Sequence, residues 1–333
     1  MKETKPVVHV FYGFDERYVP FAGVSIASLV SHCSEERNYV IHILHTNISK
    51  ESQEKLFAFE RKNVYIRFED VSDEMRNLVS ALPVRDYYSV STYFRLLIAE
   101  KFPRLEKALY LDGDTIVLRD IAELFDINLG SKWVGGVTDC VVTENKPCAD
   151  YVRYALGIEP RKYINAGMML INVKTWKENS ILDRFLSLFS FYSFKVAQDQ
   201  DYLNVLLQGK IKYLPRRWNM EALHTWNIHS KDFGLIHYNF ASKPWHDLRA
   251  PYSLLFWEEA EKSPFSLEIK KEFCFYTDAQ KEAERRVGAS VLSACLDEVK
   301  NPDNFQRKLA RLQEREESPV FEEIPLFLKT KNA

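Results

Sequence analysis

Residues 108–115, Ala108-Leu109-Tyr110-Leu111-Asp112-Gly113-Asp114-Thr115, run from an apolar stretch directly into two carboxylates separated by a glycine. In extended backbone alternate side chains share a face, so Asp112 and Asp114 point into one site while Gly113 lets the chain turn. Upstream, the β-branched and aromatic runs from Val7 to Tyr12, Tyr39 to His45 and Val64 to Phe68 read as further strands. Between them, PFAGVSIASLVSH (20–32) has helical spacing, and Ser49 opens SKESQEKLFAFERK (49–62) with a capping residue. Strands alternating with helices predict an α/β fold, a mostly parallel central sheet covered on both faces. Ligands in such sheets sit beyond the carboxyl ends of the strands, which selects Asp15 and the Asp112 region.

Further along, a strand is expected from Gly167 to Asn172, a helix from Trp176 to about Tyr192, and another around Asp201 to Leu207. From about Pro264 the chain turns to charged, helix-favouring segments broken by Pro302 and Pro319. We therefore expect one α/β domain over 1–262 and a charged helical C-terminal extension over 263–333, its mixed charges reading as a solvated face with at most peripheral membrane contact.

Across the 333 residues, 45 Lys and Arg face 47 Asp and Glu, so the net charge of -2 offers no attraction to nucleic acid. The five cysteines lack paired short spacings, and neither a signal peptide nor a long apolar segment is evident. A cytoplasmic, reducing location is the expectation, and oligomeric state is left open.

Asp-x-Asp beyond a strand suits a hard divalent cation facing a diphosphate; its bland alternative is a polar turn whose carboxylates cap backbone amides. A second cluster is Leu235-Ile236-His237-Tyr238-Asn239-Phe240-Ala241-Ser242-Lys243-Pro244-Trp245-His246. There His237 offers an imidazole ligand and Lys243 a positive charge for the diphosphate, against a hydrogen-bonded strand histidine and an exposed lysine. Trp245 is equally suited to the core. The third, Gln198-Asp199-Gln200-Asp201, opens a helix and supplies either caps or partners for sugar hydroxyls. Asn165 and Gly167, in Tyr163-Ile164-Asn165-Ala166-Gly167, place an amide beside small residues that let a ligand approach backbone, or close a turn.

Taken in order, from about residue 6 to about residue 250, these segments resemble glycosyltransferase family 8, which includes bacterial lipopolysaccharide galactosyl- and glucosyltransferases and, more distantly, glycogenin. The resemblance implies a nucleotide-sugar-binding, Rossmann-like domain of the GT-A type. It also implies manganese, with magnesium as the substitute, held by Asp112, Asp114 and His237. Lys243 matches a lysine on the diphosphate, Asp15 in FYGFDERYVPF a nucleotide contact, and Arg95 in SVSTYFRLLIAEKF a donor-sugar contact. Asn165, Asp199 and Gln200 match residues around the transferred sugar. Two departures stand out: in Asp15-Glu16-Arg17-Tyr18 a charged residue replaces an asparagine often present near the nucleotide, and Phe240 stands where close bacterial relatives usually have a small residue.

The implied reaction is transfer of glucose or galactose, with retention, from UDP-glucose or UDP-galactose to a glycan acceptor related to the cell envelope. Asp199 and Gln200 are the catalytic candidates; because a neutral amide is a poor nucleophile, a same-face substitution is preferred to double displacement. Neither G-x-G-x-x-G nor a P-loop is present, which disfavours dehydrogenase and P-loop chemistry. A glycoside hydrolase needs no diphosphate-binding lysine, and Asp112 and Asp114 lie too close in sequence to flank a sugar ring. Two alternatives are a non-catalytic nucleotide-sugar-binding protein, marked by metal-dependent binding without turnover, and a glycogenin-like self-glycosylating enzyme, marked by a mass increase with donor alone.

Overall fold

The computed structural model describes residues 5–79, 90–224, 232–239, 243–316 and 325–329. The strands are β1 (Val7–Gly13), β2 (Asn38–His45), β3 (Val64–Asp70), β4 (Lys107–Leu111), β5 (Thr115–Val117), β6 (Val134–Thr138), β7 (Ile164–Asn172), β8 (Ile211–Tyr213), β9 (Met220–Glu221) and β10 (Leu235–His237). They form a seven-stranded sheet, ordered β3-β2-β1-β4-β7-β6-β8, and a three-stranded sheet, ordered β5-β10-β9. In the large sheet only β7 runs against its neighbours, so the expected mostly parallel α/β architecture is present.

Side-chain alternation fills both faces of this sheet. Val8, Val10 and Tyr12 of β1 and Leu109 and Leu111 of β4 enter one core layer. Phe11 of β1 and Ala108 and Tyr110 of β4 enter the other.

Ser49 caps the helix Lys50–Phe57 by accepting from the Ser52 amide, as its sequence position predicts. The helix stops short of residue 62, because the chain turns at Arg61, which bridges to Val64 at the start of β3. The single helix expected from Trp176 to Tyr192 is two helices, Val173–Glu178 and Ile181–Phe191. Ser180 between them is left-handed (φ 50°), and the Asn179 side chain donates to the Thr175 carbonyl at 2.8 Å, closing the first helix. The helix expected from Asp201 starts earlier, at Gln198.

The C-terminal region is helical, with helices Ser266–Phe275, Asp278–Lys300 and Phe305–Glu316. It is docked on both core layers: Phe265 and Ile269 enter one, and Cys295, Phe305 and Phe327 the other. Gly23 makes room for this docking, since a Cβ there would lie 2.3 Å from the Phe265 ring. No described helix is long and apolar enough to cross a membrane.

Candidate active site

β4 delivers Asp112 to the carboxyl edge of the sheet, where its amide donates to the Gly167 carbonyl at 2.8 Å. The chain turns through Gly113, where a Cβ would meet Ala22 at 3.0 Å, and enters β5. Antiparallel pairing of β5 with β10 sets His237 opposite Thr115, beside Asp114. Ligand atoms of Asp112, Asp114 and His237 consequently lie within 4.8 Å of one another.

This donor set fits a divalent cation. His237 Nδ1 lies 3.1 Å from Asn219 Oδ1, so the ring donates there and turns the Nε2 lone pair toward the carboxylates. Nε2 is 3.2 Å from Asp114 and 3.8 Å from Asp112, an approach of lone pair to anion that a cation between them resolves. Gly167 closes the cradle: a Cβ there would lie 2.2 Å from His237 Cε1 and 2.6 Å from Asp112 Oδ2.

Lys243 donates to Asp114 Oδ2 at 2.5 Å and to the Tyr238 carbonyl at 2.6 Å. Burial alone would raise the Asp114 carboxyl, but the Lys243 ammonium outweighs it and holds it below the usual carboxylate range. Arg95, almost fully buried, pairs with Asp112 at 2.9 Å and Asp199 at 3.2 Å, donates to the Ala166 carbonyl and lies over the Tyr110 ring. It thereby joins the cation cluster to the start of the helix Gln198–Leu206.

Asp199 accepts from the Thr92 hydroxyl through Oδ1 at 2.8 Å. Its buried Oδ2, although 3.2 Å from Arg95 Nε, has no aligned hydrogen-bond donor among the described residues. Burial raises this carboxyl above its ordinary range despite Arg95 and Thr92. Gln200 is engaged at both ends: Oε1 accepts from the Ala166 amide at 2.9 Å and Nε2 donates to Asp139 at 3.0 Å.

Asp139, Asn219 and Glu221 escaped the sequence reading. Asp139 accepts from Asn165 Nδ2 at 3.2 Å as well as from Gln200, and Asn165 Oδ1 in turn accepts from Asn219 Nδ2 at 2.9 Å. One polar chain thus connects Gln200 to the imidazole of His237. Glu221, fully buried, accepts from the Cys140 amide at 2.5 Å and from Asn239 Nδ2 at 3.2 Å, and burial drives its carboxyl well upward. The edge rule that selected Asp112 also covers Asp139, one residue beyond β6; Asn219 carries no comparable local signal.

Asp15 follows β1 and accepts from the Tyr18 amide at 3.2 Å. Glu16 ties two loops together, since its carboxylate accepts from the Ser49 amide (2.8 Å) and from the hydroxyls of Ser49 and Ser52 (2.7 Å each). Trp245 is core, stacked on Phe21 with centroids 4.2 Å apart. Phe240 lies outside the described residues.

A single cavity of about 1260 Å³ is lined by Asp15, Arg95, Asp112, Asp114, Asn165, Gly167, Asp199, Gln200, His237 and Lys243. All ten residues singled out in the sequence therefore border one space.

Residues 9–249 match the family model described as glycosyl transferase family 8, and the chain belongs to that family. It is 28% identical over 261 residues to the lipopolysaccharide 1,2-glucosyltransferase of Escherichia coli, covering 74% of this chain and 75% of that protein. To the lipopolysaccharide 1,3-galactosyltransferase of Salmonella typhimurium (strain LT2) it is 26% identical over 278 residues, 78% and 79% of the two chains. Among solved structures, the WbbM bifunctional glycosyltransferase superposes with a TM-score of 0.68 at 27% identity, over 82% of this chain and 52% of that one. The galactosyltransferase LgtC, solved with donor and acceptor sugar analogues, gives 0.64 at 24%, over 77% and 96%. The fold is the GT-A type.

Proposed function

We propose that this glycosyltransferase moves glucose or galactose, with retention of configuration, from a UDP-sugar to a hydroxyl of a cell-envelope glycan, on the cytoplasmic side of the envelope. The observation that carries the reading is the juxtaposition, in one cavity, of the Asp112–Asp114–His237 cluster, the Lys243 ammonium and the partly unbonded carboxylate of Asp199.

A divalent cation, manganese or magnesium, held by Asp112, Asp114 and His237 would supply charge neutralisation to the diphosphate oxygens. Lys243 adds a second positive charge there and stabilises the leaving group as it departs. Asp199 Oδ2, without an aligned hydrogen-bond donor among the described residues, is suited to accept from a hydroxyl of the transferred sugar. Arg95 holds that carboxylate and Asp112 in fixed relation, while Asp15 and the edge beyond β1 suit the nucleoside.

Gln200 makes a poor covalent nucleophile, because its amide is neutral and bonded at both ends. The reading we favour is same-face substitution: the bond from the anomeric carbon to the diphosphate oxygen breaks and the acceptor oxygen bonds to that carbon on the same side. The acceptor's proton passes to the departing diphosphate oxygen.

The test is release of UDP from UDP-glucose and from UDP-galactose with manganese, with chelator, and in Asp114→Ala. Slow, manganese-dependent hydrolysis of one donor that disappears in the variant supports the reading and names the sugar. Absence of both hydrolysis and donor binding overturns it.

A further inference from the structure

Lys243 carries its ammonium on a flexible side-chain stem, so where that charge stands beside Asp114 depends on how firmly its backbone is held. The Lys243 carbonyl accepts from the amides of His246 and Asp247, both at 3.0 Å, which closes a turn over residues 243–247. Each residue inside the turn is anchored outside it. The Pro244 carbonyl accepts from Trp257 Nε1 at 3.0 Å, on the helix Ser253–Lys262. Trp245 stacks on Phe21 of the helix Val19–Ser31. His246 is held by two helices at once.

Its Nδ1 lies 2.8 Å from Glu284, on the helix Asp278–Lys300, and its Nε2 lies 3.1 Å from Glu272, on the helix Ser266–Phe275. The Tyr276 ring, in the connection between those helices, stacks on the imidazole face with centroids 3.5 Å apart. A carboxylate oxygen against each nitrogen suits a ring protonated at both. Held at two edges and on one face, this ring cannot turn about its side-chain torsions without breaking a contact. His246, Glu272 and Glu284 border the same cavity as Asp112, Asp114 and His237. Yet Glu272, Tyr276 and Glu284 all lie beyond residue 249, where the match to the family model ends.

Resting on the glycosyl-transfer reading above, we propose that Glu272 and Glu284 are positioning residues for Lys243. Acting through His246, they hold the 243–247 turn so that the ammonium stands between Asp114 and the diphosphate of the donor. Misplacing a stabilising group by about 1 Å costs up to roughly 100-fold in rate, so carboxylates that never touch the donor govern how well its leaving group is stabilised. A latch that only docks the C-terminal helices would affect stability and leave the work of Lys243 unchanged.

The test is a double-mutant cycle on the full chain, pairing Glu284→Ala, and separately Glu272→Ala, with Lys243→Met. Calorimetry reads UDP affinity in the presence of manganese, and UDP release from UDP-glucose and UDP-galactose reads turnover. With Lys243 present, Glu284→Ala should weaken UDP binding and slow turnover by about tenfold. In the Lys243→Met background the same change should cost less than about twofold, because no ammonium is left to misplace. Glu284→Gln, which keeps an acceptor for Nδ1–H, should retain most of both. Circular dichroism verifies folding, and the partly exposed Glu272 gives the same cycle if Glu284→Ala fails to fold. Equal losses in both backgrounds, or a lowered melting temperature with UDP affinity and turnover unchanged, overturn the proposal while leaving the donor reading standing. A wild-type chain that binds no UDP with manganese removes the donor reading, and the positioning role falls with it.

Discussion

Lys243 and the imidazole of His237 contact opposite oxygens of one carboxylate, that of Asp114: the ammonium reaches Oδ2 at 2.5 Å and Nε2 reaches Oδ1 at 3.2 Å. On the proposed reading, a cation ligand and a diphosphate-facing charge share a single anion. Replacing Lys243 by Met removes a positive charge from the cluster while sparing its three ligands. Manganese binding without donor, followed by electron paramagnetic resonance, should be retained or tightened. Turnover should fall on the order of 100-fold through loss of leaving-group stabilisation. Equal loss of metal affinity and turnover would instead make Lys243 a structural prop of the cation site.

Gly167→Ala should damage the same site by volume alone. The new methyl would sit 2.2 Å from His237 Cε1, so the imidazole must swing out of line. Metal affinity is expected to drop by at least roughly tenfold, measured by manganese titration, with the far-ultraviolet circular dichroism spectrum unchanged.

Asn219→Leu tests the hydrogen bond behind the ligand. Without an acceptor for Nδ1–H, the ring loses its fixed tautomer and orientation, and metal affinity should weaken by roughly 10- to 100-fold. An unaltered titration would show that Asn219 serves packing alone.

His246 predicts a pH signature of stability. Its ring nitrogens lie 2.8 Å from Glu284 and 3.1 Å from Glu272, and its face stacks on Tyr276 at 3.5 Å. Burial opposes its charge, but the two carboxylates prevail and raise its pKa above the ordinary 6.5. A raised folded-state pKa stabilises fully below 6.5, and that contribution is lost as pH rises through the folded value. Glu284 is shifted downward; burial opposes this, but His246 dominates, so its contribution is present above its ordinary 4.5 and lost as pH falls through the folded value. The melting temperature of His246→Gln should therefore differ most from wild type between these two limits and converge toward it at higher pH.

Glu16→Ala separates structure from nucleotide contact. The variant loses three hydrogen bonds to Ser49 and Ser52 and should be destabilised by about 1 kcal/mol, seen in urea unfolding, while UDP affinity changes little. A large loss of UDP affinity at unchanged stability would reverse that assignment.

The parts of the site legible in the sequence are those where one local rule suffices. Asp15 and Asp112 follow strands of the large sheet, so the edge rule for parallel sheets reaches them; His237 ends a strand of the small mixed sheet, and an imidazole after an apolar run is its local signal. Asn219 and Glu221 act only because β9 lies beside β10, a pairing of short strands that no local pattern announces. The break at Ser180 is hidden for a related reason: apolar spacing continues across it, and a single left-handed residue leaves that periodicity intact.

The pairing of Leu235–His237 with Thr115–Val117 also has a temporal consequence. During synthesis the two aspartates emerge more than a hundred residues before the imidazole that completes their cluster. A nascent chain therefore carries the two carboxylates without their imidazole, and on the proposed reading cation capture would mark that the later strand has found its place.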